Sequence, residues 1–338
     1  MPEQPQEPLT KKQLKALRLQ AITDLDAAGG KPVNLDAQGS WPATPHLLEK
    51  GVVDALIAAI ASGRPLLVRG EPGVGKSQLA RAAAAVLKRP FLPEVIQPDS
   101  EYTDLLWRVD HTQRLADAQI LGRKDSSGDT PKRDVGNIGH YIGPGALWWA
   151  INPMGAKTQH KQGAPNYLLD QEIRAEQCRD RGVVLLIDEI DKADISLTNG
   201  LLEVLGNGGF GVPPTGETVE SKGVPPLVML TSNNSRELPP ALLRRCVVLT
   251  LTLGEDVEAH IKKIAATVFP DLHKGVREEA AKLIVKDRKE CQDSPKTGLA
   301  EYLDLLRALN DLKDDGADLA VWMDRLGGFF KKSQVNRD

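Results

Sequence analysis

The eight residues Gly70-Glu71-Pro72-Gly73-Val74-Gly75-Lys76-Ser77 constrain this chain more than any other stretch. They match G-x-x-x-x-G-K-S/T, and their flanks complete the pattern. The apolar Leu66-Leu67-Val68-Arg69 before them reads as a short buried strand, and QLARAAAAVLK after them as a helix. Phosphate binding demands that order. Glycines let the backbone curl so that successive N–H groups converge on phosphate oxygens, and the helix N-terminus adds positive potential. Lys76 is expected to reach the β- and γ-phosphates of ATP, and the Ser77 hydroxyl to ligate Mg2+. The expected nucleotide-binding set is Gly70, Glu71, Pro72, Gly73, Val74, Gly75, Lys76, Ser77 and Gln78. A glycine-rich turn that merely joins strand to helix is the plainer alternative, and the flanks on both sides disfavour it.

A second element follows a hundred residues later. Val184-Leu185-Leu186-Ile187-Asp188-Glu189 is an apolar run ending in two carboxylates. A buried strand of this kind places Asp188 beside the magnesium and Glu189 where it can orient and polarise the attacking water. Solvated acids at a strand end are common, but not after a phosphate loop. A third element is Asn233-Asn234, following the apolar residues 228–230, at the sheet edge where ligands of parallel sheets bind. Either amide can bond the γ-phosphate and the water, and Asn233 is favoured as nearer the strand. A fourth is Arg244-Arg245, ending a short helix over 240–245. There a guanidinium suits stabilisation of a neighbouring subunit's γ-phosphate, and two cations at a helix C-terminus are the bland reading.

Around these elements, strands alternate with helices from residue 47 to 251, which predicts a parallel, doubly wound α/β sheet. Before it lie a loose tail (1–9), a helix from Thr10 to the Gly29-Gly30 stop, and an expected linker over 31–45. A helix over 47–61, a strand over 91–97 and a helical piece over 102–106 are expected next. Residues 124–137 read as a polar loop, and 206–226 as a β-hairpin, with a plain surface feature the simplest reading. From 254 to 330 four amphipathic stretches predict a separate all-helical unit, followed by a tail (331–338).

The remaining composition excludes more than it assigns. A formal charge of −3 over 338 residues argues against nucleic acid held by bulk electrostatics, and no basic stripe is interleaved with aromatics. Cys178, Cys246 and Cys291 lie too far apart for a metal motif, and the histidines are scattered. The N-terminus lacks a secretory pattern, and the longest apolar runs, such as 183–187, fall short of a membrane span. The expectation is a cytoplasmic protein without a membrane partner.

The order GEPGVGKS, VVLLIDEIDKAD, TSNNSREL, LPPALLRRC resembles the AAA+ superfamily and most closely its MoxR branch, and DLLWRVD and GPGALWWAIN are similar to that branch too. The resemblance spans residues 51–312. It implies a three-layer αβα P-loop ATPase domain (46–253) with a helix-2 insert (98–150) and a pre-sensor-1 hairpin (207–226). It also implies a helical lid (254–330), ATP and Mg2+ as ligands, and a ring homo-oligomer, usually a hexamer, with ATP between subunits. By position Lys76 and Ser77 take Walker A roles, Asp188 and Glu189 Walker B roles, Asn233 that of sensor 1, and Arg245, with Arg244 second, that of the arginine finger. Gln97 resembles the polar residue that holds the catalytic glutamate in check. The family's lid arginine has no counterpart in Pro295-Lys296-Thr297-Gly298-Leu299-Ala300, where Lys296 is the only cation.

The function implied is ATP-driven remodelling, activation or assembly of a client, with a separate von Willebrand factor A domain protein as partner. This chain has no D-x-S-x-S motif of its own. The alternatives are a restriction-type nucleic-acid motor and an ATP-dependent assembly switch in a defence system.

Overall fold

Strand residues buried on both faces build the centre of this protein. The computed structural model describes residues 9–39, 41–122, 134–162, 175–291, 296–313 and 318–332. Its central sheet contains β1 (Leu66–Arg69), β2 (Phe91–Val95), β3 (Val184–Asp188), β4 (Leu227–Ser232) and β5 (Val247–Thr250). The strands run in the order β5-β1-β4-β3-β2, every neighbouring pair parallel.

Alternation along each strand serves two cores. Leu66, Val68, Val184, Leu186, Leu227 and Met229 pack on one side with residues of the helices Lys11–Ala28, Lys50–Ser62 and Lys76–Leu87. Leu67, Leu185, Ile187, Val228 and Leu230 pack on the other with Leu147, Ala156, Leu197 and Leu201. Those partners come from the helices Ala146–Ile151, Pro153–Gln162 and Ile195–Asn207. This is the expected three-layer α/β arrangement, and it explains the continuous apolar runs: a parallel sheet covered on both faces has no polar side.

Two segments depart from the sequence reading. Residues 31–45, expected as a linker, contain an antiparallel hairpin of Pro32–Leu35 against Thr44–Leu47, and the following helix therefore begins at Lys50 rather than 47. The hairpin was hidden because its strands are four residues long and carry Pro32 and Pro45, which read as breakers. Arg81, on the helix after the phosphate loop, anchors it. The buried guanidinium donates to the Asp36 carbonyl at 2.6 Å and the Pro42 carbonyl at 3.2 Å, and stands 5.3 Å over the Trp41 ring.

Between β2 and β3, helix Tyr102–Leu106 leads into a small antiparallel pair, Trp107–Val109 with Ile142–Pro144. Of the polar loop expected over 124–137, residues 124–133 lie outside the described residues. The hairpin expected over 206–226 is present as Gly209–Val212 against Glu217–Glu220.

After β5 the chain is helical: Val257–Val268, Lys274–Glu290, Leu299–Lys313 and Leu319–Gly327. These surround a third core including Ile261, Ala265, Ile284, Tyr302, Leu306 and Leu309, against which Val74 of the phosphate loop packs. Among the described residues no helix is long and apolar enough to cross a membrane.

Candidate active site

Strand order brings the scattered motifs together. β4 lies between β1 and β3, with Ser232 level with Arg69 and Leu230 level with Ile187. The phosphate loop after β1, the Asn233 turn after β4 and the Asp188-Glu189 pair ending β3 therefore share one edge. That edge is the carboxyl end of the strands, where the sheet leaves a crevice.

The phosphate loop needs its glycines for space as well as curvature. Gly70 has φ 157°, and a Cβ there would meet the Leu251 carbonyl oxygen at 2.5 Å, so β5 leaves room for no side chain. Gly73, at φ 79°, would meet Ala300 of the helical region at 2.8 Å. Inside the loop the buried Lys76 ammonium donates to the Gly70 carbonyl at 2.9 Å and the Glu71 carbonyl at 2.8 Å. Burial pushes its pKa down, against the pull of Asp188, Asp191, Glu189 and Glu71. Gln78 is engaged sideways, accepting from Arg81 at 2.9 Å.

Ser77 Oγ donates to Asp188 Oδ2 at 2.8 Å, and the Thr231 hydroxyl bonds Asp188 Oδ1. A serine hydroxyl beside a carboxylate is a set of hard oxygen donors of the kind magnesium takes. Glu189 follows in the left-handed region at φ 61°, its N–H donating to Thr231 Oγ1 at 3.0 Å. A non-glycine residue held there is a local cost of the kind that clusters at functional sites. Its carboxylate receives Asn233 Nδ2 at 3.3 Å on one oxygen and Lys192 Nζ at 2.5 Å on the other. The hydrogen bond that Lys192 donates to Glu189 raises the Lys192 pKa.

Of the two asparagines, Asn233 is the one that touches Glu189. Asn234 turns back over β1, accepting from Arg69 Nε at 2.8 Å.

Several residues here were invisible to motif reading. Asp191 is buried and accepts from the Asn233 N–H at 3.3 Å, the Ser235 N–H at 3.1 Å and the Ser235 hydroxyl. Burial alone would raise its pKa, but the Ser235 and Asn233 bonds outweigh this and hold it down. An ionised Asp191 thus fixes the turn that carries Asn233. The signal was present in the second aspartate of DEID, a buried acid that must find donors on a neighbouring segment.

These groups line a cavity of about 550 Å³ that includes Pro72 to Gln78, Asp188, Glu189 and Asn233. One wall is the N-terminal hairpin region, with Trp41, Pro42, Thr44 and His46, and the opposite wall is helical, with His260, Ile264, Leu303 and Arg307. The lining is mixed: beside the loop and carboxylates it includes the apolar Val52, Ile264, Leu299 and Leu303 and the polar Thr44, His46, His260 and Arg307. Burial pulls His46 down to about 4, with Glu49 opposing and Arg81 assisting, so its imidazole is neutral at pH 7.

Other sequence expectations fall elsewhere. Gln97 is exposed and its side chain does not reach Glu189, which Lys192 occupies instead. Lys296 is exposed and lies outside the cavity lining. The cation that ties the helical region to the phosphate loop is Arg288, which donates to the Glu71 carboxylate at 2.7 Å and to the Thr297 carbonyl at 3.1 Å. Arg244 and Arg245 end the helix Pro240–Arg245, exposed and outside the cavity lining, with Arg245 donating to the Leu202 carbonyl at 3.4 Å.

No curated protein matches this chain. Among solved structures it is similar to a single-site variant of RuvB from Thermotoga maritima, at 16% identity and TM-score 0.45, covering 82% of this chain and 67% of that one. It is also similar to the Thermotoga maritima RuvB Holliday junction branch migration motor, at 18% identity and TM-score 0.43, with 82% and 67% covered. Likenesses this distant carry no functional information. The family comparison is firmer: residues 65–246 match the AAA domain of the dynein-related subfamily. The match runs from β1 to the end of the helix after Asn233, covering the phosphate loop, Asp188-Glu189, Asn233 and both arginines, and on it this chain belongs to that family.

Proposed function

We propose that this protein binds ATP with magnesium and hydrolyses it in a ring of identical subunits, as a MoxR-type machine that remodels, activates or assembles a client protein. The observation that carries the reading is the meeting of Ser77, Asp188, Glu189 and Asn233 within hydrogen-bonding distance at the mouth of a phosphate loop.

Each group then has a task. The loop N–H groups and Lys76 hold the phosphates, Lys76 exchanging its bonds to the Gly70 and Glu71 carbonyls for phosphate oxygens. Ser77 and Asp188 would hold magnesium, which would supply charge neutralisation of the phosphates. Glu189 accepts the proton of the attacking water, and Asn233 orients both. Arg245 or Arg244, outside its own cavity, serves the neighbouring subunit's γ-phosphate. The hairpin Gly209–Val212 and Glu217–Glu220 is the element for gripping a client, and a von Willebrand factor A domain protein is the partner that would deliver it.

The test is Glu189→Gln. It keeps shape and phosphate contacts but removes the base, so ATP binding should persist while turnover falls by about 10²- to 10⁴-fold. Normal turnover in this variant would end the proposal. ATP-dependent assembly, followed by analytical ultracentrifugation, tests the ring separately.

A further inference from the structure

The carboxylate assigned as general base is already occupied. Glu189 Oε2 lies 2.5 Å from Lys192 Nζ, and Oε1 accepts from Asn233. Lys192 belongs to the 3-10 turn Ile190–Lys192 that follows Glu189, and its own N–H donates to the Glu189 carbonyl at 2.9 Å. The turn is held on both sides: Ile190 is fully buried, and Asp191 is clamped by Ser235 and the Asn233 N–H. Lys192 is therefore presented to Glu189 by a fixed backbone.

Its approach matters. Asp188, Glu189 and Asn233 line the nucleotide cavity but Lys192 does not. Its side chain is 42% exposed, so the ammonium is open to solvent outside the cavity lining.

We propose that Lys192 is a releasable restraint on Glu189, a positioning residue that slows ATP hydrolysis by holding the carboxylate in an ion pair. The proposal rests on the ATPase reading above. A general base works through a lone pair turned to the water. An ammonium in contact takes up that lone pair and holds the carboxylate away from the water. The restraint is weak by construction, because a half-exposed pair contributes little and is screened by salt. It can be relieved by ionic strength, or by another carboxylate competing for Lys192 at that surface.

The experiment uses the full chain with Lys192→Met and Lys192→Arg. Equilibrium ATP binding and single-turnover hydrolysis are measured from about 50 to 500 mM NaCl, the range over which exposed pairs are screened. Wild-type hydrolysis should accelerate with salt. Lys192→Met should hydrolyse about 1.5- to 5-fold faster than wild type at low salt, with unchanged ATP affinity and no acceleration by salt. Lys192→Arg, which keeps the charge, should behave as wild type.

A Lys192→Met protein that binds ATP and melts like wild type but hydrolyses at the same rate or more slowly overturns the proposal. So does a salt response that survives the substitution. Wild-type protein that fails to bind ATP at all sinks the ATPase reading itself, a result read in the binding arm before any variant is compared.

Discussion

The two ends of the nucleotide cavity are built in opposite ways. At the phosphate end Asp188, Glu189 and Asn233 sit at or one residue past the ends of β3 and β4, and Lys76 and Ser77 open the helix that the phosphate loop joins to β1. At the far end the walls come from segments separated by two hundred residues, Trp41 to Val52 and His260 to Arg307, which meet through packing and through the Lys263–Glu49 ion pair at 3.1 Å. The first design demands particular residue types at particular spacings. The second depends on shape and on scattered contacts between distant segments, which no short motif specifies. Substitutions at the phosphate end should therefore abolish function without unfolding the chain, whereas those at the walls should act through stability and affinity together.

The largest effect belongs to Lys76. Removing its ammonium by Lys76→Ala takes away a charge-assisted hydrogen bond to the phosphates, worth about 2–3 kcal/mol, or roughly 30- to 150-fold in ATP affinity. Stability should change little, because relieving a buried cation, whose pKa burial pushes down, offsets the loss of the donor to the Gly70 and Glu71 carbonyls. Titration calorimetry and urea unfolding on the same protein check both halves. Unchanged affinity would remove the distinction between the two ends.

That asymmetry also governs how much could be read in advance. Every central strand, the phosphate loop, Asp188-Glu189 and the amide turn were legible, because apolar runs closed by glycine, acid or amide have few structural meanings. The choice of Asn233 over Asn234 followed from proximity to the strand, and Asn233 is the amide that reaches Glu189. What stayed hidden depends on distant partners. The hairpin over 32–47 owes its place to Arg81, and the role of Asp191 to Ser235 more than forty residues away. The tie between helical region and phosphate loop falls on Arg288, outside the 295–300 stretch where a lid arginine was sought, because the end of helix Lys274–Glu290 is what comes beside Glu71. Gln97 lies beyond the end of β2 and points to solvent, a matter of strand length that periodicity does not resolve.

Arg81 tests the wall design. Its side chain joins the helix after the phosphate loop to the hairpin through two carbonyls, the Gln78 amide and the Trp41 ring. Arg81→Met keeps the bulk but leaves the Asp36 and Pro42 carbonyls without their donor, at about 2–3 kcal/mol of stability. Because the hairpin lines the cavity, ATP affinity should fall as well, with hydrolysis of bound ATP preserved. A variant that loses affinity with no loss in urea unfolding would place Arg81 at the phosphate end instead.

The smallest effect, and the one that isolates a single wall residue, is the acid response of His46. Its folded pKa is lowered from 6.5 to about 4. The unfolded chain therefore takes up a proton below pH 6.5 that the folded protein refuses, and stability is lost as pH falls from 6.5 towards 4. Above that window His46 is neutral in both states and contributes nothing to the pH dependence. At pH 5.5 the loss from this one group is about 1 kcal/mol. Glu49 and Arg81 flank it, and only Glu49 would soften the effect by attracting the imidazolium. His46→Gln has no such proton to refuse, so the difference in unfolding free energy between wild type and variant should shrink or widen with pH only between 4 and 6.5, and stay constant from pH 7 to 8. A difference that is flat across the whole range would mean that the wall leaves the imidazole open to protonation, and that burial at the far end of the cavity does not exclude the proton.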